Sequence, residues 1–269
     1  MLNTETTKNN PRAVEVTIEG GVAVVALNRP DQINAINEEI RLQLPQALQR
    51  LEDDVEIRAI LLHGGTARGF CAGADIKEIR EAETSIEVRE RNMRRAWIDA
   101  FDRVTKPVIA AVHGHCLGGG MEMALACDIR VACADATFAL PETGLGLIPG
   151  AGGTQRLQRL VGHGRALDLL LTGDRIDAAE AFRIGLVTRL VADRKNLLEE
   201  AIALAGRIAT RAPRATAYAK EAARAAGDLP LAAGQAFERN LFALLSTTSD
   251  RMEAARAFKE KRKPVFTGK

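Results

Sequence analysis

Residues 106–153 read KPVIAAVHGHCLGGGMEMALACDIRVACADATFALPETGLGLIPGAGG, and the order of textures in this stretch decides the fold. Val108–Val112 is a short, wholly apolar run bounded by Pro107 and Gly114, which predicts a strand buried on both faces. A loop follows and ends in Gly118-Gly119-Gly120. An apolar helix starts there at once and carries a single carboxylate, Glu122. Further on, Glu142 stands between Pro141 and a second glycine-rich loop, Gly144–Gly153. Strand, glycine turn and helix in close succession are the texture of an α/β protein with strands at least partly parallel.

The chain outside this stretch repeats the texture. Val14–Ile18 and Val22–Leu27 flank Gly20-Gly21 and predict a hairpin. Ile40, Leu44, Ala47, Leu48 and Leu51 recur at helical spacing, so 37–53 predicts an amphipathic helix that Pro45 would kink or interrupt. Ile57–Leu62 predicts the next strand. A loop dense in small residues, Gly69–Ile76, then lets backbone approach other backbone or a ligand. From Glu78 to Arg103 the chain is charged, with an apolar seam of Ile86, Met93 and Trp97 and an arginine cluster at Arg89, Arg91, Arg94 and Arg95. A solvated helix face explains that cluster better than an anionic ligand does. Ile129–Ala132 and Val187–Val191 predict further strands, and Thr154–Leu160, Arg165–Leu171 and Ala178–Ile184 predict helices. Residues 1–12 read as a polar, disordered tail, 13–195 as the α/β core, and 196–269 as a helical region broken near Pro213, Gly227–Pro230 and Ser246–Ser249.

Composition narrows the function classes. Of 269 residues, 46% are hydrophobic but only 4% aromatic, so the core is built from Ala, Val, Ile and Leu. The net charge of +2, from 37 basic and 35 acidic residues, leaves no electrostatic footprint for bulk nucleic-acid binding. Apolar runs fall well short of the ~20 residues of a membrane helix. The four cysteines lack C-x-x-C spacing and predict a reduced, intracellular protein, cytoplasmic or, after removal of a presequence, in the mitochondrial matrix.

Several chemistries are absent from the motifs. There is no G-x-S-x-G and no P-loop, and Gly144–Pro149 lacks the third glycine of a dinucleotide fingerprint. His113, His115 and Cys116 cluster, yet no second ligand group answers them, so loop packing is preferred to a metal. The glycine triplet at a helix start offers unpaired N–H groups and the positive end of the helix dipole, which suits charge developing on a carbonyl oxygen. The loop around Ala74 is a candidate for a second donor. Close packing of helix on strand also calls for glycine, and composition does not separate the two. Glu122 in an apolar helix and Glu142 after Pro141 each have a structural explanation, as a dipole partner and a capping acceptor. Taken together beside two glycine loops, they suit paired acid and base work.

These residues resemble the enoyl-CoA hydratase (crotonase) family. The resemblance runs through Leu27–Pro30, Ile33–Ile36, Phe70–Lys77, Lys106–Val112, Gly118–Glu122, Pro141–Glu142, Ile148–Leu157 and Ala257–Pro264. It implies an α/β spiral of repeated ββα units with a C-terminal helical subdomain, assembled as a trimer or dimer of trimers through that subdomain. It further implies that Ala74 and Gly119 donate backbone N–H groups to a thioester oxygen, and that Glu122 and Glu142 hold a water between them. Gly150 would lie near that water. Ile33, Ala35, Ala72, Ala74, Asp75, Ile76 and Lys77 would line the coenzyme A arm together with Gly119. No permanently bound cofactor is implied, since coenzyme A belongs to the substrate. The expected reaction is reversible hydration of a trans-2-enoyl-CoA. The same resemblance admits a hydratase of branched or dicarboxylic enoyl-CoA, an enoyl-CoA isomerase, or a non-enzymatic RNA-binding relative supported by the basic run Lys259–Lys263.

Overall fold

The computed structural model describes residues 12–78, 84–94 and 97–269. The expected tail at 1–12 falls outside these residues except for Arg12, which is exposed. The chain opens with a hairpin, β1 (Val14–Glu19) and β2 (Val22–Leu27), followed by the helix α1 (Glu38–Asp53) and the strand β3 (Ala59–His63). α2 (Ser85–Arg94) and α3 (Ala100–Arg103) precede β4 (Val108–Val112), β5 (His115–Leu117) and α4 (Gly119–Ala126). β6 (Ile129–Cys133), β7 (Thr137–Ala139), α5 (Gly153–Val161), α6 (His163–Thr172), β8 (Ile176–Asp177), α7 (Ala178–Arg183) and β9 (Arg189–Val191) complete the α/β part. Four helices follow: α8 (Arg194–Ala209), α9 (Pro213–Ala225), α10 (Leu231–Leu245) and α11 (Ser249–Lys259).

A six-stranded sheet runs in the order β1-β2-β3-β4-β6-β9, antiparallel at the hairpin and parallel thereafter. Its central strands are buried on both faces, which is why they read as unbroken apolar runs. On β3, Ile60 and Leu62 join the larger core, while Ala59 and Leu61 face the smaller one. On β4, Val108, Ala110 and Val112 divide from Ile109 and Ala111 in the same way. α8 closes the smaller core with Leu197, Ala201, Leu204, Ala205 and Ala209.

A second sheet, β5-β7-β8, is extended by isolated bridges that pair Cys71 with Cys116 and Ile36 with Ala74. Successive circuits of the chain thus add one strand to the large sheet and one short extended segment to the small one. This is the spiral of ββα units that the resemblance implies, followed by a helical C-terminal region.

Pro45 lies inside α1 and does not interrupt it: the helix is continuous from Glu38 to Asp53. Asn37 caps its start by accepting from the Ile40 N–H at 3.1 Å. Ile40 and Leu44 before Pro45, and Ala47, Leu48 and Leu51 after it, are all buried. Packing on both sides of the proline thus outweighs the hydrogen bond it removes.

Candidate active site

The first circuit ends in an unusual turn. Ile33 and Asn34 both take left-handed backbone angles, φ 49° and 54°. For β-branched Ile33 this is a strained conformation. Fully buried Asn34 holds the turn: its amide donates to Gly64 O and Phe70 O, each at 2.9 Å, and its side-chain oxygen accepts from Arg29 N–H. Arg29 in turn pairs with Asp75 at 2.9 Å and donates to the Ala35 carbonyl. The carboxylate of Asp75 is therefore taken up within the fold, its other oxygen accepting from Lys77 N–H. Burial works against that charge, but the hydrogen bond and charge of Arg29 hold the Asp75 carboxyl below the usual range.

This scaffold aims Ala74. The N–H of Ile36 donates to Gly73 O and the N–H of Asp75 donates to Ile36 O, the pattern of a parallel bridge. The N–H of Ala74 between them is thereby turned away from Ile36, toward the side on which Cys71 pairs with β5. The Gly118–Gly119 turn lies there. A methyl group placed on Gly119 would be 3.9 Å from Ala74 N and 3.0 Å from Ile36 Cδ1, and one on Gly73 would be 3.7 Å from Gly119 N. Gly119 is the first residue of α4, where N–H groups have no intrahelical acceptor. The structure thus brings Ala74 and Gly119 together. Ala74 is exposed and Gly119 half-buried, as access by a ligand requires.

The members of the glycine triplet have separate reasons. Gly118 has φ 51° and ψ −128°, a region closed to residues with a Cβ. At Gly120 a methyl group would sit 2.5 Å from Cys71 O, so glycine lets α4 press onto the preceding circuit. Both alternatives read from the sequence, open N–H groups and close packing, are therefore present, one residue apart.

Glu122 is buried in the first turn of α4. Its Oε1 accepts from the N–H groups of Ala151 at 2.7 Å and Gly153 at 2.8 Å, which open α5. Burial pushes its carboxyl above the usual range, opposed by those two N–H groups and by the charge of Arg156. Glu142 sits in the 3-10 turn Pro141–Leu145. A methyl group on Gly118 would lie 2.9 Å from its Oε1, so this carboxylate lies beside the Gly119 donor. Its Oε2 is buried without a hydrogen-bond partner. Burial raises the Glu142 carboxyl, a hydrogen bond from its own backbone N–H opposes this, and repulsion from Glu122 adds to the rise. The two acids are thus close enough to influence one another, with unequal support for charge.

Among the remaining expected residues, Ile33 O accepts from Ala72 N–H, Lys77 is exposed, and Ile76 begins the 3-10 turn Ile76–Glu78. Gly150 is exposed and precedes the Ala151 N–H that binds Glu122. The arginine cluster falls partly outside the described residues; Arg89 is exposed. His113 Nε2 lies 3.0 Å from Ala67 O and Cys116 Sγ 3.6 Å from Gly120 O, contacts within the fold. The sequence reading missed Ala151 and Gly153 as donors to Glu122. Their signal was available, since a glycine-rich loop opening a helix offers free N–H groups at Gly153 as it does at Gly119.

On this ββα spiral, separate loops bring the N–H groups of Ala74 and Gly119 close to one another, with the Glu142 carboxylate beside Gly118 and Glu122 on the helix that Gly119 opens. Residues 17–269 match the family model described as enoyl-CoA hydratase/isomerase. The chain is 42% identical over 246 residues to a short-chain-enoyl-CoA hydratase of Clostridium acetobutylicum, covering 91% of this chain and 94% of that one. It is 44% identical over 245 residues to the mitochondrial enoyl-CoA hydratase of Pongo abelii, covering 91% and 83%. Among solved structures, the enoyl-CoA hydratase of Bacillus anthracis superposes with a TM-score of 0.90 at 40% identity, covering 96% of this chain and 100% of that one. The chain belongs to the enoyl-CoA hydratase/isomerase (crotonase) family and is an enzyme of the hydro-lyase class. Among the described residues, no helix is long and apolar enough to cross a membrane.

Proposed function

We propose that the protein reversibly adds water to a trans-2-enoyl-CoA to give the 3-hydroxyacyl-CoA. The observation that carries this reading is the pairing of unequal acids beside two open N–H groups. Glu122 accepts two backbone hydrogen bonds at an α-helix N-terminus, an arrangement that supports a carboxylate. Glu142 has a buried, unpaired oxygen and a charged neighbour, an arrangement that supports the protonated acid. The thioester oxygen is held by Ala74 and Gly119, which draws electron density from the double bond and makes C3 electrophilic. Glu122 removes a proton from the attacking water as its oxygen bonds to C3. Glu142 gives its proton to C2, and the enolate-like charge returns from the oxygen. The step leaves Glu122 protonated and Glu142 ionised, and proton exchange restores both.

The coenzyme A arm runs along Ile33–Ala35 and Ala72–Lys77, with Asp75 part of that wall and fixed in it by Arg29. The protein acts in the cytoplasm or, after removal of a presequence, in the mitochondrial matrix, as a trimer or dimer of trimers, and its net charge of +2 argues against a nucleic-acid partner. The test is loss of the enoyl-thioester absorbance with crotonyl-CoA. Glu122→Gln and Glu142→Gln are each expected to lose about 10²-fold or more in kcat while still binding acyl-CoA. An inactive wild type on short, long, branched and dicarboxylic enoyl-CoAs alike rejects the assignment. Full activity in Glu142→Gln would remove Glu142 as the acid, whereas a wild type that moves the double bond of a 3-enoyl-CoA without hydrating crotonyl-CoA would favour an isomerase, which manages with one acid.

A further inference from the structure

Arg156, in the first turns of α5, has a side chain that the reaction above leaves without a role. Its N–H donates to Gly152 O at 2.8 Å. Its side chain then folds back over the same glycine: a methyl group on Gly152 would lie 2.9 Å from Nε, 3.4 Å from Cδ and 3.7 Å from Cγ. Gly152 has φ 98° and stands between Ala151 and Gly153, the two residues whose N–H groups hold Glu122 Oε1. The far end of Arg156 is tied to Asp102 on α3, NH2 to Oδ2 at 2.7 Å. Its Nε is buried with no hydrogen-bond partner.

We infer that Arg156 is a positioning residue for Glu122, clamping Gly152 from above and placing a fixed positive charge behind the base. The inference rests on the reading of Glu122 as the base. Geometry and charge act in the same direction here. The clamp keeps the left-handed turn that points Ala151 and Gly153 inward, and the guanidinium favours the ionised form of the carboxylate they hold. Among the described residues, the charged groups facing Glu122 are Arg156 from α5 and Glu142 from the 3-10 turn, and they oppose each other. A purely structural ion pair explains the arrangement less well. The Arg156 and Asp102 side chains are 25% and 48% exposed, a setting in which a pair contributes little to stability.

The experiment compares the pH dependence of kcat/KM on crotonyl-CoA for wild type, Arg156→Met, Arg156→Lys and Asp102→Asn, with thermal melting of each. Glu122 must be ionised to act, so activity falls as pH drops through its titration. In Arg156→Met the acidic limb moves to higher pH. The ratio of kcat/KM at about pH 8 to that at about pH 6 then rises roughly threefold or more over wild type. Arg156→Lys keeps the charge and loses the fork, so kcat falls while the limb stays near that of wild type. Asp102→Asn leaves the guanidinium unanchored and lowers kcat by about twofold to fivefold without changing KM. A folded Arg156→Met enzyme with the wild-type pH profile overturns the proposal. If that variant does not fold, a displaced limb in Arg156→Lys, or wild-type kcat in Asp102→Asn, overturns it instead. Glu122→Gln in the same assay separates the two readings: retained turnover there removes Glu122 as the base, whatever the Arg156 variants do.

Discussion

Glu122 and Glu142 differ less in their chemistry than in what surrounds each charge. Both carboxyls are raised by burial, but Glu122 has two backbone donors and a cation to offset it, whereas Glu142 has its own backbone N–H and the opposing charge of Glu122. The linkage to stability has a definite sign. A carboxyl raised on folding binds more protons in the folded state than in the unfolded one between its two titrations. The protein is therefore most stable below the unfolded value and loses stability as pH rises through the folded value. Glu142, with Oε2 unpaired and Glu122 opposite, should dominate this loss. Glu142→Gln is accordingly expected to melt higher than wild type at about pH 8, by about 2–4 °C, with the difference closing toward about pH 4. Melting curves across that range check it, and a difference that stays constant with pH would remove the electrostatic cause. The sequence presented both acids, Ala74 and Gly119 by position. Which acid holds the proton depends on Ala151, Gly153 and Arg156, brought to Glu122 by a loop whose course no local pattern specifies.

At the scale of elements, α4 is fixed at both ends. Its N-terminus presents the Gly119 N–H, and its C-terminus is held by buried Arg130 and by half-buried ion pairs to Asp128. Arg130, on β6, donates to Cys127 O at 2.6 Å and Ala124 O at 3.3 Å at the C-terminal end of the helix, and to Leu186 O at 2.7 Å, placing its charge where the helix dipole is negative. Asp128, immediately after the helix, accepts from Val108 N–H at 2.7 Å and pairs with Lys220 at 2.8 Å and Arg224 at 2.9 Å, both on α9. The Lys220 side chain is only 8% exposed, and burial holds its ammonium below its usual range even with Asp128 beside it. Asp128→Ala strips the carboxylate from this group and is expected to destabilise the protein by about 3 kcal/mol in urea titration, with Asp128→Asn milder. A loss below about 1 kcal/mol would mean that α9 docks without it. Apolar periodicity made α1 and the central strands legible in advance. It could not announce that Pro45 would be tolerated, because that depends on Ile40, Leu44, Ala47, Leu48 and Leu51 burying together. Nor could it reveal the tie between Asp128 and α9, since ion pairs distant in sequence leave no period.

The whole molecule explains why the site draws on two loops far apart in the chain. The small sheet stacks the extended segments of successive circuits, so Ile36, Ala74 and the Gly119 turn become neighbours although each follows a different strand of the large sheet. The C-terminal helices follow a different logic. α8 buries a full apolar stripe on the sheet, whereas α9 has no buried residue and α10 only Leu241. Leu231, Leu244 and Met252 are exposed, and Phe242 and Phe258 are 73% and 87% exposed within one chain. Apolar surface of this kind on consecutive helices is rare on a monomer and is covered when copies associate by closed symmetry. The proposed trimer or dimer of trimers places these helices at the contacts. Light scattering on the eluting protein should then give a mass about three or six times the 29.0 kDa of the chain. A double substitution, Phe242→Glu with Phe258→Glu, should shift the protein toward 29.0 kDa while preserving its helical circular dichroism. Wild type eluting as a monomer at micromolar concentration, or the double variant retaining the wild-type mass, would show that these faces are not what holds the copies together.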